Sequence, residues 1–251
     1  MEQQDDGKLM SFWDHLEVLR GTLIRMIAAV AVLSIAAFCM KDWLFCLVLW
    51  PTHADFPTYV WLGAEPFTLH LINTELTEQF MIHMRVALVA GIMAASPYLL
   101  YQLFSFVAPA LYERERRASV QLVVWAYAMF IIGCVVNYLL VLPLTVRFLG
   151  EYSVSADVES LISLTSYVDT MLMLSLVFGI VFELPVVSWL LARFGLLRAE
   201  WMRRYRRHAI VVILIAAALL TPTTDAMTLI IVSLPIWMLY ETSILIVKRT
   251  I

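Results

Sequence analysis

The chain has 251 residues, 62% of them hydrophobic and 15% charged, with a formal net charge of −3. Together with a mean hydropathy of +0.85, this composition excludes a soluble domain with a large core and describes an integral membrane protein. Its length allows several membrane spans and leaves no room for a large domain outside the membrane.

Glu2, Asp5 and Asp6 stand where a secretory leader would carry positive charge, so the first apolar run, 23–40, reads as a retained span. The segment from Lys41 to Glu78 contains Pro51, Pro57 and Pro66 and is expected to fold as short helices on the membrane surface. Further apolar runs at 86–106, 120–142, 171–191, 209–220 and 229–247 make six helices in one membrane domain, 1–251. The run 209–220 is the shortest and rises only about 18 Å at roughly 1.5 Å per residue, against a hydrocarbon core of about 30 Å.

Cations set the orientation. Lys8, Arg20 and Arg25 precede or open the first span, Arg114, Arg116 and Arg117 follow the second, and the residues from Arg193 to Arg207 follow the fourth. Lys248 and Arg249 close the chain, whereas the alternate loops hold few cations, Lys41, Arg85 and Arg147, among many acids. By the positive-inside rule both termini are cytoplasmic. Trp43, Trp50 and Trp61 then mark the outer interface, and Trp189 and Trp201 the inner one.

Prolines recur where spans should be regular: Pro97, Pro143, Pro185 and Pro235. Kinks at so many places favour a concave, cupped all-α assembly over a straight bundle. Glu183, in FGIVFELP, lies inside the fourth run with no Lys or Arg in that run to pair with it. A charge at the centre of a membrane helix costs roughly 2.5–3.5 kcal/mol, so such an acid marks a functional site or an interior hydrogen bond. Pro185, two residues on, has no N–H for the carbonyl of Val181.

Three cysteines, Cys39, Cys46 and Cys134, support neither a disulfide framework nor a metal site. The five histidines are scattered, and there is no HExxH, nucleophile elbow or phosphate loop. No enzyme activity, metal, cofactor or nucleic-acid partner is therefore expected. The joint after the second span, FVAPALYERERR at 106–117, sets Glu113 and Glu115 among arginines, either as a solvated face or as a docking point for a ligand guanidinium.

HLEVLR (15–20), SPYLLYQLFSFVAPALYERERR (96–117), FGIVFELPVV (178–187), LLTPTTD (219–225) and LPIWMLYE (234–241) together resemble TatC, the receptor subunit of the twin-arginine protein translocase. The resemblance covers almost the whole chain. It implies a cupped six-helix fold in the bacterial inner membrane that binds signal peptides bearing an Arg pair. It also implies self-association, assembly with single-span TatA- and TatB-like partners, and export of folded proteins driven by the proton motive force.

Carried over by position, the signal-peptide acid falls on Glu115, with Glu113, Phe106, Glu17 and Arg20 as its companions. Glu183, Gln102 and Pro185 are the intramembrane polar or assembly residues, and Pro51 and Asp225 the outer-loop ones. The family pattern H-L-x-E-L-R departs here, because Val18 stands where the second receptor carboxylate belongs. Moving an acid by one residue turns it about 100° around a helix, so Glu17 or Asp14 is the candidate substitute. The alternatives from the residues alone are a proton-coupled small-solute transporter using Glu183, and a scaffold whose acids only set helix packing.

Overall fold

In lipid a helix is the open-chain conformation that satisfies its own backbone polar groups, which is why the apolar runs fold as helices. The structure, a computed structural model, describes residues 12–63, 69, 71–73, 75–107, 116–151, 162–221 and 225–250; at 12–15, 106–107, 116–120 and 151 it describes the backbone alone. The helices are α1 Phe12–Cys39, α2 Lys41–Leu49, α3 Pro57–Trp61, α4 Glu78–Val107, α5 Arg116–Val136, α6 Leu142–Glu151, α7 Leu164–Val181, α8 Leu184–Arg193, α9 Ala199–Arg204, α10 Arg206–Leu220 and α11 Ala226–Thr250. A 3₁₀ turn, Trp50–Thr52, follows α2, and a π-helical turn, Asn137–Val141, joins α5 to α6. Two-residue strands, β1 Leu71–Ile72 and β2 Ile162–Ser163, pair in parallel.

Among the described residues five stretches are long and apolar enough to cross a membrane: Leu16–Cys39, Glu78–Ser105, Gln121–Gly150, Leu164–Arg193 and Ala226–Thr250. Helix α10 has 15 residues, which at roughly 1.5 Å each rise about 22 Å and fall short of the core thickness. Helical structure runs further than the apolar runs suggest. The second helix starts at Glu78, so Arg85 belongs to a span and not to a loop, and the third continues through Pro143 to Glu151. Helices α4 and α11 pass Pro97 and Pro235 unbroken, the third span stays helical from α5 through the π turn into α6, and at Phe182–Glu183, ahead of Pro185, the fourth span breaks between α7 and α8.

The helices stand in an open wall. Helix α1 packs on α4, α4 on α5 and α7, α5 on α7 and α8, α8 on α11, and α11 on α10. Helices α1 and α10 therefore end the row, each with apolar side chains such as Ile27, Val32 and Ile35, or Val211, Val212 and Ile215, exposed. Glycine lets the backbones approach. A Cβ on Gly91 would lie 2.6 Å from the Ser34 nitrogen of α1, and one on Gly133 2.8 Å from the Phe182 side chain. Gly179 answers from α7, where a Cβ would lie 2.6 Å from the Phe130 ring.

One end of the wall is capped by α2, the 3₁₀ turn and α3. Phe56 is fully buried there, with its ring 5.3 Å from Trp50 and 5.5 Å from Tyr138. Three tyrosine hydroxyls donate to backbone carbonyls of the cap: Tyr138 to Leu47 (2.8 Å), Tyr167 to Val48 (2.7 Å) and Tyr59 to Pro51 (3.0 Å). His83 of α4 stacks on Phe38 at 4.0 Å and sets Nε2 3.1 Å from the Phe38 carbonyl, near the end of α1. A carbonyl only accepts, so Nε2 carries the hydrogen.

Because α1 depends on α4 for its packing, Gly91→Leu is expected to cost about 1–3 kcal/mol by overpacking. Thermal unfolding in detergent should show a lowered Tm, and limited proteolysis should release α1 before the other spans.

Candidate functional site

The end opposite the cap carries the residues expected to meet a ligand. Glu17 and Arg20 lie on the first turns of α1, both exposed. Glu17, Val18, Gly21, Thr22 and Arg25 line a shallow cleft of about 370 Å3. Glu17 and Val18 thus face the same cleft despite their offset around the helix. Among the described residues Glu17 forms no ion pair, so pairing with Arg20 three residues on is not seen; Arg25, two turns along, is the cation sharing its cleft. Ser34 packs on Gly91, and continuing that antiparallel register sets Glu17 level with the C-terminal end of α4. Phe106 is on that last turn of α4 by its backbone. Glu113 and Glu115 lie outside the described residues. Gln102, one turn before the end of α4, donates to the Tyr98 hydroxyl at 2.6 Å and is part of this level of the wall.

Glu183 occupies the break between α7 and α8. From Arg193, the last residue of its span, it is about 15 Å along the axis, near the middle of a core about 30 Å thick. Both carboxyl oxygens are buried and have no hydrogen-bond partner among the described residues. The amide of Glu183 bonds the Ile180 carbonyl at 3.0 Å, a tightened turn, and its own carbonyl receives the Val187 amide at 2.9 Å to start α8. Pro185 is buried. The site is thus a carboxyl held at mid-span by a local irregularity of the helix.

Comparison of the prolines shows what is particular about Pro185. In an α-helix the carbonyl four residues before a proline has no N–H to receive. For Pro97 that carbonyl is Met93, and the Ser96 hydroxyl donates to it at 2.7 Å. For Pro143 it is Leu139, and the Thr58 hydroxyl of α3 donates to it. For Pro185 it is Val181, and there the helix ends instead. Two further buried oxygens without partners among the described residues, Asn137 Oδ1 and Thr145 Oγ1, lie on the third span; Asn137 spends its amide on Ser175 Oγ at 2.9 Å.

Pro51 and Asp225 have structural roles. Pro51 is the second residue of the 3₁₀ turn and offers its carbonyl to the Tyr59 hydroxyl. Asp225 precedes α11 and accepts from the Thr228 amide at 2.8 Å and from the Thr228 hydroxyl at 2.5 Å, a helix N-cap. Sequence reasoning passed over two polar anchors between the second and fourth spans. Buried Glu78 accepts from the Thr165 amide (3.0 Å) and hydroxyl (2.6 Å) and from the Glu75 amide (3.1 Å). Arg85 donates from Nη1 to both carboxylate oxygens of Asp169, at 2.8 Å each. The signal available was an acid at the first turn of a helix, Glu78, but Thr165 is 87 positions from it and Asp169 is 84 from Arg85.

The family model described as Sec-independent protein translocase protein (TatC) matches residues 14–235. The chain belongs to the TatC family. Sec-independent protein translocase proteins TatC from Carboxydothermus hydrogenoformans and Koribacter versatilis are 32% and 36% identical to it, over 97% and 96% of this chain and 95% and 86% of theirs. A crystal structure of the twin arginine translocase receptor TatC superposes with a TM-score of 0.80 at 31% identity, covering 94% of this chain and 99% of the other. The chain is accordingly a multi-pass membrane protein of the Sec-independent translocase family. The matched region contains the α1 cleft, the Glu183 break and the Asp225 cap of this TatC-family chain.

Glu78→Ala removes three accepted hydrogen bonds at a buried site and is expected to cost about 1–3 kcal/mol. Thermal unfolding should report a lower Tm, and Glu78→Gln, which keeps one acceptor oxygen, should lose less.

Proposed function

We propose that this protein is the receptor subunit of a twin-arginine translocase, binding the Arg-pair signal peptides of folded precursors at its uncapped end. That end faces the cytoplasm with both termini, α10 is a sixth, short span, and the membrane is the bacterial inner membrane. The observation that carries the reading is the likeness to a solved twin arginine translocase receptor over 99% of its length. Supporting it, Glu17 is exposed, without an ion pair among the described residues, and level with the end of α4, just before Glu113 and Glu115 in the chain. Guanidinium groups are always charged, present a planar fork of donors and pair with carboxylates in two-pronged fashion. A pair of arginines thus requires more than one acid, and Glu17 with Glu115 supplies two.

The role is binding and assembly, with no bond made or broken by this chain. Nothing in it offers a nucleotide site, so energy enters through the proton motive force and the other Tat components. Glu183 is the second contact. Its two buried oxygens have no partner within the described chain, and a polar side chain from a TatA- or TatB-like single-span helix would satisfy them.

Glu115→Lys should abolish binding of a twin-Arg precursor, because repulsion replaces a charge-assisted pair. Titration of the precursor onto purified protein, with membrane insertion checked separately, should show affinity falling at least about a hundredfold, on the scale of several kcal/mol for a partly desolvated charge pair. Unchanged affinity would remove Glu115 from the site and leave the receptor reading without its main contact.

Glu183→Gln should retain much of the export and partner co-purification, since an amide still hydrogen-bonds, whereas Glu183→Ala should lose both. Equal and complete loss in the two variants would instead point to an obligatory proton-carrying role.

A further inference from the structure

Val18 stands where the family pattern has an acid, and the turn of about 100° per residue decides what shares its side of α1. Gly21, Thr22 and Arg25, three, four and seven positions on, all fall within about 60° of Val18. These are the residues that line the cleft with it and Glu17. Arg20 lies about 160° from Val18 and is not among them. Arg25 is therefore the cation on this side of α1.

Its guanidinium does not follow its Cα toward the membrane. Arg25 is the third residue of the apolar run 23–40. Its Nη2 nevertheless lies 3.9 Å from the point where a Cβ on Gly21 would stand, two residues before that run begins. A long cationic side chain in this way lays its stem along the apolar helix and keeps its head at the polar boundary. The residue is exposed and, among the described residues, has no ion pair or ring contact. At the level of Gly21 the head is about 6 Å to the membrane side of Glu17, four residues at roughly 1.5 Å each.

A peptide whose Arg pair rests on Glu17 and whose apolar part continues toward the membrane has to pass this charge. About 6 Å is covered by about two residues of extended chain or four of helix. The side chain that meets Arg25 thus belongs to one of the four residues after the Arg pair. Glu17 alone attracts any cation, and discrimination needs a repulsive element beside the attractive one.

We propose that Arg25 is a specificity-determining residue of this receptor, favouring signal peptides with an acid, and disfavouring those with a further lysine or arginine, at one position within the four residues that follow the Arg pair. The assignment rests on the receptor reading and refines it.

The test titrates synthetic twin-Arg signal peptides onto the purified full chain in detergent, with Asp, Gln or Lys placed in turn at each of the four positions. At one of them Asp should bind about threefold tighter than Gln, and Lys about threefold weaker, the scale of an exposed ion pair. The spread should shrink as salt is raised. Arg25→Gln should level the three peptides, Arg25→Lys should keep their order, and Arg25→Glu should reverse it at that same position. An unchanged order in Arg25→Gln, or an equal change for all three peptides, would overturn the assignment. If Arg25→Glu does not insert, the contrast between Arg25→Gln and Arg25→Lys decides. A peptide with two glutamines in place of the Arg pair separates the two readings. Should it bind as well as the Arg-pair peptide, the receptor reading falls and the role of Arg25 with it, whereas loss of its binding alongside an unchanged order in Arg25→Gln removes Arg25 alone.

Discussion

Inside a bilayer no water stands ready to bond a free carbonyl, and each unsatisfied backbone group costs several kcal/mol. Every proline in a span therefore poses a local problem that something else must solve. At Pro97, Pro143 and Pro185 the chain solves it in three ways. Ser96, the residue just before Pro97, bonds the Met93 carbonyl from within the same helix. At Pro143 the helix relaxes into a π turn, and Thr58 reaches from the cap to the Leu139 carbonyl. At Pro185 the helix stops at Val181 and restarts at Leu184, with Glu183 in the gap.

These three solutions distribute rigidity. The second ties α3, and with it the whole cap, to the third span, an attachment that Tyr59, Tyr138 and Tyr167 strengthen through their hydroxyls. Glu78 and the Arg85–Asp169 pair brace the second and fourth spans toward the same end. Among the described residues the opposite end has fewer such crosslinks. Arg206 with Glu241 at 2.5 Å holds α10 to α11 there and Tyr240 with the Met202 carbonyl at 2.8 Å holds α9 to α11, while α1 presents Glu17, Arg20 and Arg25 to solvent. A receptor surface on a braced scaffold is the arrangement that positions charged groups without ordering them anew for each ligand.

The open wall follows from the same chemistry. Lipid tails are as apolar as leucine, so spans associate through close packing at small residues rather than through hydrophobic burial. Gly91, Gly133 and Gly179 provide that approach for α1–α4 and α5–α7. Where no glycine lies at a crossing, as along most of α1, the apolar face stays open to the bilayer or to a partner.

The helical class, the shortness of the run at 209–220 and an acid at Glu183 with no cation in its own run were legible in the sequence, because hydropathy and the lack of a nearby cation are local properties. The resemblance of five motifs in order identified the family for the same reason. Helix limits were less legible. Arg85 and Pro143 look like loop residues in an apolar profile, yet helices continue past both, since helix ends follow backbone bonding and capping rather than hydropathy. What only the tertiary structure decided were partnerships across distance: Thr58 with Leu139, Glu78 with Thr165, and Arg85 with Asp169. It also decided that Glu17 and Val18 line one cleft. Each of these joins residues tens of positions apart or depends on which way a helix is turned, and no local pattern of side chains encodes a helix rotation that packing against its neighbours sets.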